Sequence, residues 1–410
     1  MSDTPVPQGS PPHTPTGARM DPSSSFRART VFAAACTGML FFGMTTVSLG
    51  TINAYLASKF SLDEIAVGSL AALLPLGILC GSVIFGPVVD RYGYRFPLSV
   101  SSLFLLAGFE MIAFADSFAP VQAAFFLLGF GGGVINGGTS ALVADTSEGS
   151  TGAALSLLGV FFGIGALGLP ALTGFALTRI SYETIISLLG LSVLLPVTVF
   201  LSVALPSPKQ PMGFPLKEGG AMLKHPTLLL LAGTLFFQSG LEGMTSSWST
   251  MYLQKIVDLP VEISLFGLTA YAASLTAARG VLGWLLKRFS PATVAVSCMA
   301  VAIAGGVLLM YSDGPTVSFC ALALIGIGFA PVFPVVLGYV AELFPTLSGT
   351  AFGIALVVAL IGSTILNYLL GILTESSGLS MYPIAHLVCV AALIFLFVVA
   401  IRTHPRRSQV

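Results

Sequence analysis

Long apolar stretches, each about the length of a membrane crossing, are spaced along nearly the whole chain and separated by short polar turns. The stretches cover 31–57, 65–88, 97–115, 119–143, 153–177, 183–205, 227–253, 263–286, 292–311, 316–341, 350–373 and 382–402. Crossing the hydrocarbon takes about 20 mostly apolar helical residues. None of these runs alternates with the period of a barrel strand, and backbone polar groups in lipid must be satisfied within the segment. The pattern therefore predicts an all-α integral membrane protein of twelve transmembrane helices.

Composition agrees. The chain has 410 residues, 55% of them hydrophobic and 8% charged, with 17 basic and 17 acidic side chains; its mean hydropathy is +0.95. A soluble domain carries about 25% charged residues, so this chain cannot cover a soluble surface. A soluble enzyme, a nucleic-acid binder and a disordered protein are excluded. A formal net charge of zero offers no basic face for DNA or RNA. Cys36, Cys80, Cys298, Cys320 and Cys389 sit singly in apolar runs, which reads as core filling rather than a disulfide framework or metal site. No metal and no cofactor is expected.

Charge asymmetry sets the expected orientation. One side holds Arg19, Arg27, Arg29, Arg91, Arg95, Lys209, Lys217, Lys224, Lys287, Arg288, Arg402, Arg406 and Arg407; the other holds Lys59, Arg179 and Lys255. Thirteen against three predicts both termini in the cytoplasm and location in an inner or plasma membrane. Residues 1–26 are a Pro/Ser/Thr-rich polar tail without the short apolar core of a cleavable signal peptide, so the first span is expected to act as a signal anchor. The expected organisation is a disordered tail (1–26), a six-helix bundle (27–205), a Pro/Gly/Lys-rich cytoplasmic linker (206–226), a second six-helix bundle (227–402) and a short tail (403–410).

The two bundles repeat at an offset of 197 residues. Gly129 falls on Gly326, Gly131 on Gly328, Asp145 on Glu342, Gly165 on Gly362 and Tyr55-Leu56 on Tyr252-Leu253. Gly86-Pro-Val-Val-Asp90-Arg91-Tyr92-Gly93 falls on Gly283-Trp-Leu-Leu-Lys287-Arg288-Phe289-Ser290. Two parallel copies suggest two lobes rocking about a site between them.

Gly86 to Arg95 resembles the signature loop between helices two and three of the major facilitator superfamily: a glycine, an Asp-Arg pair four residues on, then a glycine and a basic residue. The resemblance spans residues 27–402 and implies the major facilitator fold, secondary transport by alternating access, and no enzyme activity. It also implies a cytoplasmic latch. Asp90 would cap a neighbouring helix, Arg91 or Arg95 would pair with Asp145, and Lys287 or Arg288 with Glu342. The alternative is that these are positive-inside anchors beside ordinary loop acids.

Gly129-Phe-Gly-Gly-Gly-Val-Ile-Asn136, Phe161 to Pro170, Glu242 with Trp248 and Tyr252, and Gly326 to Pro334 are similar to stretches of the fucose/galactose/glucose–proton symporter family. That resemblance implies a monosaccharide as substrate. The best-known fucose transporter of that family has carboxylates in helices one and four, whereas the matching positions here are Gly50 and Asn136. Its proton-coupling pair is missing, and symport does not carry over with the resemblance.

Candidate site residues follow from polar groups at mid-membrane depth, where ionisable side chains are costly. Gln238, Glu242, Thr245 and Ser249 share a helix face. Glu242 can act as proton carrier, sodium ligand or acceptor for sugar hydroxyls, or can be a protonated side chain bonding a neighbouring helix. Asn53, Asn136 and Asn367 offer amides suited to vicinal hydroxyls, or to helix packing. Trp248, Phe333 and Tyr368 are candidate stacking surfaces for a sugar ring. Arg279 can snorkel or pair with Glu342; if it faces the cavity, the substrate is an organic anion. Glu110 and His386 are expected to be structural. The leading expectation is a monomeric carrier of a small sugar-like solute, coupled to protons or sodium; the rivals are a drug or metabolite exporter, an organic-anion carrier and an uncoupled facilitator.

Overall fold

The computed structural model describes residues 22–146, 151–206, 224–344 and 348–403. Among them are twelve helical spans long and apolar enough to cross a membrane. They are α1 (Pro22–Phe60), α2 (Glu64–Tyr92), α3 (Arg95–Ala113), α4 (Phe118–Thr146), α5 (Thr151–Ala176) and α6 (Tyr182–Ser192, continued by Leu194–Ser202). The second set comprises α7 (Pro226–Lys255), α8 (Val261–Leu285), α9 (Pro291–Met310), α10 (Pro315–Phe329, resuming as Val332–Leu343), α11 (Ser348–Ser377) and α12 (Tyr382–Thr403). With an even number of crossings, the start of α1 and the end of α12 lie on one face of the bundle, called here the terminal face. Most of the 206–226 linker and of the first tail lies outside the described residues. α1 begins at Pro22, within the stretch read as tail.

Two spans are broken where proline removes a backbone donor. Pro196 leaves the Ser192 carbonyl without its helical partner, and α6 breaks at Val193. Pro331 and Pro334 do the same in α10, which is interrupted at Ala330 and Pro331. Pro170 is accommodated inside α5 without a break.

Each set of six helices has its own buried core. One gathers Phe41, Leu49, Leu105, Phe125 and Phe200; the other gathers Leu235, Trp248, Phe329, Val336 and Phe397. Large side chains exposed on the outside, such as Leu172, Phe175, Val388 and Phe395, form the surface that lipid covers.

The 197-residue repeat is visible as close backbone approach. A Cβ at Gly129 of α4 would collide with the Leu74 carbonyl of α2, and one at Gly326 of α10 would lie 2.5 Å from the Tyr271 carbonyl of α8, 197 residues on. The second pair matches as well: a Cβ at Gly131 would lie 2.6 Å from the Ser101 carbonyl, and one at Gly328 would lie 2.7 Å from the Cys298 carbonyl. Glycine permits these crossings because there is no side chain to keep the helices apart.

Candidate substrate site at the seam between the two halves

The halves meet along α1–α7, α2–α11 and α5–α8. Hydrogen bonds crossing the seam sit near the face opposite the chain ends. Asn53 Nδ2 donates to the Ser247 carbonyl (2.9 Å), and the Thr250 hydroxyl donates to the Gly50 carbonyl. A Cβ at Gly50 would collide with the Ser246 carbonyl, so α1 and α7 touch backbone to backbone there. At the rim Lys255 Nζ lies 3.2 Å from Glu64 Oε1, and the Glu64 amide donates to Glu375 Oε2 (2.9 Å). That side of the seam is closed.

Deeper in, the inner faces of α7 and α8 are directed at the first half: Ser246 lies against Gly50, and Thr276 against Gly163 of α5. One turn from each of these contacts, Glu242 and Arg279 meet. Arg279 Nη2 donates to Glu242 Oε1 across 3.2 Å, with side chains 35% and 29% exposed. The pair is thus neither sealed in a core nor free in solvent. Gln238, fully buried one turn below, donates from Nε2 to the same carboxylate oxygen (2.9 Å) and to the Phe329 carbonyl at the break in α10 (3.2 Å).

The other candidates separate into three groups. Asn136 of α4 is partly buried, one turn from Gly132 where α4 packs on Phe42 of α1. Phe333 is partly buried against the second core. Asn53 and Asn367 are fully buried, Asn53 as a seam tie and Asn367 donating to the Ser363 carbonyl of its own helix (2.8 Å). Trp248 is fully buried inside the second core, so a stacking role in an open cavity does not fit this state.

Tyr368 is 43% exposed on the same stripe of α11 as Ile361, Ile365 and Ile372, an apolar face. Its neighbour Asn367 points inward because successive helical residues are turned by about 100°. Arg279 also departs from one expectation, since its partner is Glu242 rather than Glu342.

On the terminal face, Tyr94 donates from its hydroxyl to Asp145 Oδ2 (2.5 Å), and Arg95 Nη2 donates to the Val203 carbonyl (3.1 Å). Arg91 lies over the Tyr92 ring, and Arg288 over the Trp284 ring at 4.6 Å. No ion pair joins Lys287 or Arg288 to Glu342 among the described residues; Arg288 lies over the Trp284 ring. Gly86 is open to space, and the side chain of Asp90 lies outside what is described. Glu110 ties α3 to α6 by accepting from Ser187 Oγ (2.9 Å), and His386 is buried against Phe329 and Tyr382.

Sequence reasoning missed the seam ties Glu64, Lys255 and Glu375, because charges at span ends read equally well as interfacial anchors. It also missed the Phe329 carbonyl, for which Pro331 and Pro334 were the available signal.

This constellation lies in a chain with a recognisable family. The Major Facilitator Superfamily model matches residues 33–366, with a second match over 268–409. The chain belongs to the Major Facilitator Superfamily. That family consists of multi-pass membrane transporters, not enzymes. The chain is 28% identical over 367 residues to the gentisate transporter of Corynebacterium glutamicum, covering 82% of this chain and 79% of that one. It is 24% identical to the fosmidomycin resistance protein of Escherichia coli, covering 84% and 88%. Against the glucose/mannose transporter GlcP of Bacillus subtilis it is 22% identical, covering 82% and 86%. The solved D-xylose-proton symporter shares the fold with a TM-score of 0.77 at 14% identity, covering 92% of this chain and 98% of that one.

Proposed function

We propose that this member of the superfamily carries a small organic anion together with a proton, by alternating access at the Glu242–Arg279 pair. The observation that supports this reading is Arg279 Nη2 lying 3.2 Å from Glu242 Oε1 at mid-depth, half-exposed, on helix faces directed at the other half. A guanidinium there presents a planar fork suited to a carboxylate. A substrate carboxylate that takes Arg279 displaces Glu242, and an unpaired carboxylate in the membrane interior is costly. Glu242 then binds a proton. Substrate and proton enter together, and the site keeps its net charge: before, Arg⁺ with Glu⁻; afterwards, Arg⁺ with the substrate anion beside a neutral Glu.

The gentisate transporter among the relatives is in line with an aromatic acid as substrate. Under the positive-inside count the terminal face is cytoplasmic, so the closed side of the seam is the outer one. Asp90, Arg91, Arg95, Asp145, Lys287, Arg288 and Glu342 would then engage as the latch when the terminal face closes. The working unit is a monomer.

A second reading keeps the neutral monosaccharide. Asn136, only partly buried, and the glucose/mannose relative favour it; the pair would then stay intact and grip hydroxyls. Binding of a benzoate-type carboxylate to purified protein separates the two. The anion reading expects Arg279→Ala to weaken that binding at least tenfold, with Arg279→Lys intermediate. Unchanged carboxylate binding by Arg279→Ala would overturn it.

A further inference from the structure

Gln238 holds three positions at once. Its Nε2 donates to the oxygen of Glu242 that Arg279 also reaches, and to the Phe329 carbonyl at the α10 break. Its Oε1 is buried without a donor. The helix beyond that break, Val332–Leu343, runs toward the terminal face. The side chain is fully buried, so it cannot itself be an open wall of the cavity.

An amide has a donor and an acceptor end, and the two exchange by half a turn about the last torsion. With Glu242 ionised, the observed orientation is the one that satisfies both oxygens, Glu242 Oε1 and Phe329 O. A protonated Glu242 keeps one acceptor oxygen and gains an O–H; with the proton on the oxygen that faces Gln238, the acceptor able to meet it is the unpartnered Oε1 of Gln238. Turning the amide to accept that proton withdraws the donor from the Phe329 carbonyl and sets oxygen against oxygen there.

We propose that Gln238 is a positioning residue that reports the protonation state of Glu242 to the break in α10. Glu242 with its proton releases the Phe329 carbonyl, and the second piece of α10 becomes free to re-pack toward the first half. The proposal rests on the reading of Glu242 as the proton-binding group. The other titratable or charged groups around it are Arg279 and Tyr271 of α8, with Tyr382 and His386 of α12 behind Tyr271 and Phe329. None of these bonds both Glu242 and the α10 break as Gln238 does.

The test uses the full chain without its five native cysteines, spin-labelled at Ala144→Cys on α4 and Gly338→Cys on α10. The distance distribution is followed from pH 5 to pH 9 by pulsed electron resonance. The parent should redistribute with pH, and Glu242→Gln should hold one distribution throughout. Gln238→Met, close in shape but without an amide, should lose the pH response. Gln238→Glu, which places a second carboxyl beside the first, should keep it with a midpoint moved by at least tenfold in proton concentration. A carboxylate so close to Glu242 moves the midpoint by charge alone, so the loss of the pH response in a well-folded Gln238→Met is the readout that decides the role of the amide. A parent-like response in both Gln238 variants overturns the role of Gln238 while leaving Glu242 in place. A parent that ignores pH, indistinguishable from Glu242→Gln, overturns the reading of Glu242 and this inference with it.

Discussion

Arg279 and Glu242 stand on successive helices with Nη2 and Oε1 3.2 Å apart, one turn from the points where those helices touch the other half. Removing one partner leaves the other charge unmatched at mid-depth. Arg279→Ala and Glu242→Ala should therefore each lower thermal stability, and the double variant should lose less than the sum of the two single losses. Because the pair is half-exposed, a coupling of about 1 kcal/mol is expected, between the values for surface and fully buried pairs. A double-mutant cycle of melting curves in detergent checks this; strict additivity would mean that the two charges do not interact.

Gly50 controls how closely α1 and α7 approach. A valine there would drive a side chain into the Ser246 carbonyl. Gly50→Val should prop the seam open at the face opposite the chain ends. Cysteines placed along α1 above residue 50 should then react faster with an aqueous maleimide. Asn53→Ala removes a single seam hydrogen bond, worth about 0.5–1.5 kcal/mol, and should produce a smaller shift in the same direction.

At the rim, Lys255 and Glu64 are partly solvent-exposed. An exposed pair contributes about 0–1 kcal/mol and is screened by salt. Lys255→Ala should raise that accessibility by no more than about fivefold, and the difference from the parent should shrink in high salt. A larger effect that salt leaves unchanged would show that Lys255 does more than close the rim.

Aromatic residues should divide sharply. Trp248 is fully buried in the second core, and Trp248→Ala should cost about 3–5 kcal/mol of stability. Tyr368 lies on the outward apolar stripe of α11, and Tyr368→Leu should leave transport unchanged. A transport defect in a well-folded Tyr368→Leu protein would return that residue to the site.

Span positions and the internal repeat were legible because membrane helices need long apolar runs and because glycine matches mark backbone crossings. Gly129 against Leu74 and Gly326 against Tyr271 show the same crossing twice. Rotational detail was less legible. Asn367 and Tyr368 are neighbours in sequence and face opposite environments, while Trp248 packs into the core from a helix that also carries site residues. The partner of Arg279 depended on how α7 and α8 pack, which no spacing along one helix encodes. The positive charges of the terminal face were clear in sequence. Their folding onto Tyr92, Trp284 and the Val203 carbonyl was not, since long side chains there have several partners within reach.

In the proposed cycle Glu242 and Arg279 couple an organic anion to a proton. Its most direct test is uptake into proteoliposomes of a labelled panel of aromatic carboxylates and hexoses, with and without an imposed inward proton gradient, by the parent and by Glu242→Gln. A carboxylate should accumulate in the parent only under the gradient and merely equilibrate with Glu242→Gln. Gradient-driven accumulation of a hexose with no carboxylate entering, or equal accumulation by parent and variant, would contradict it.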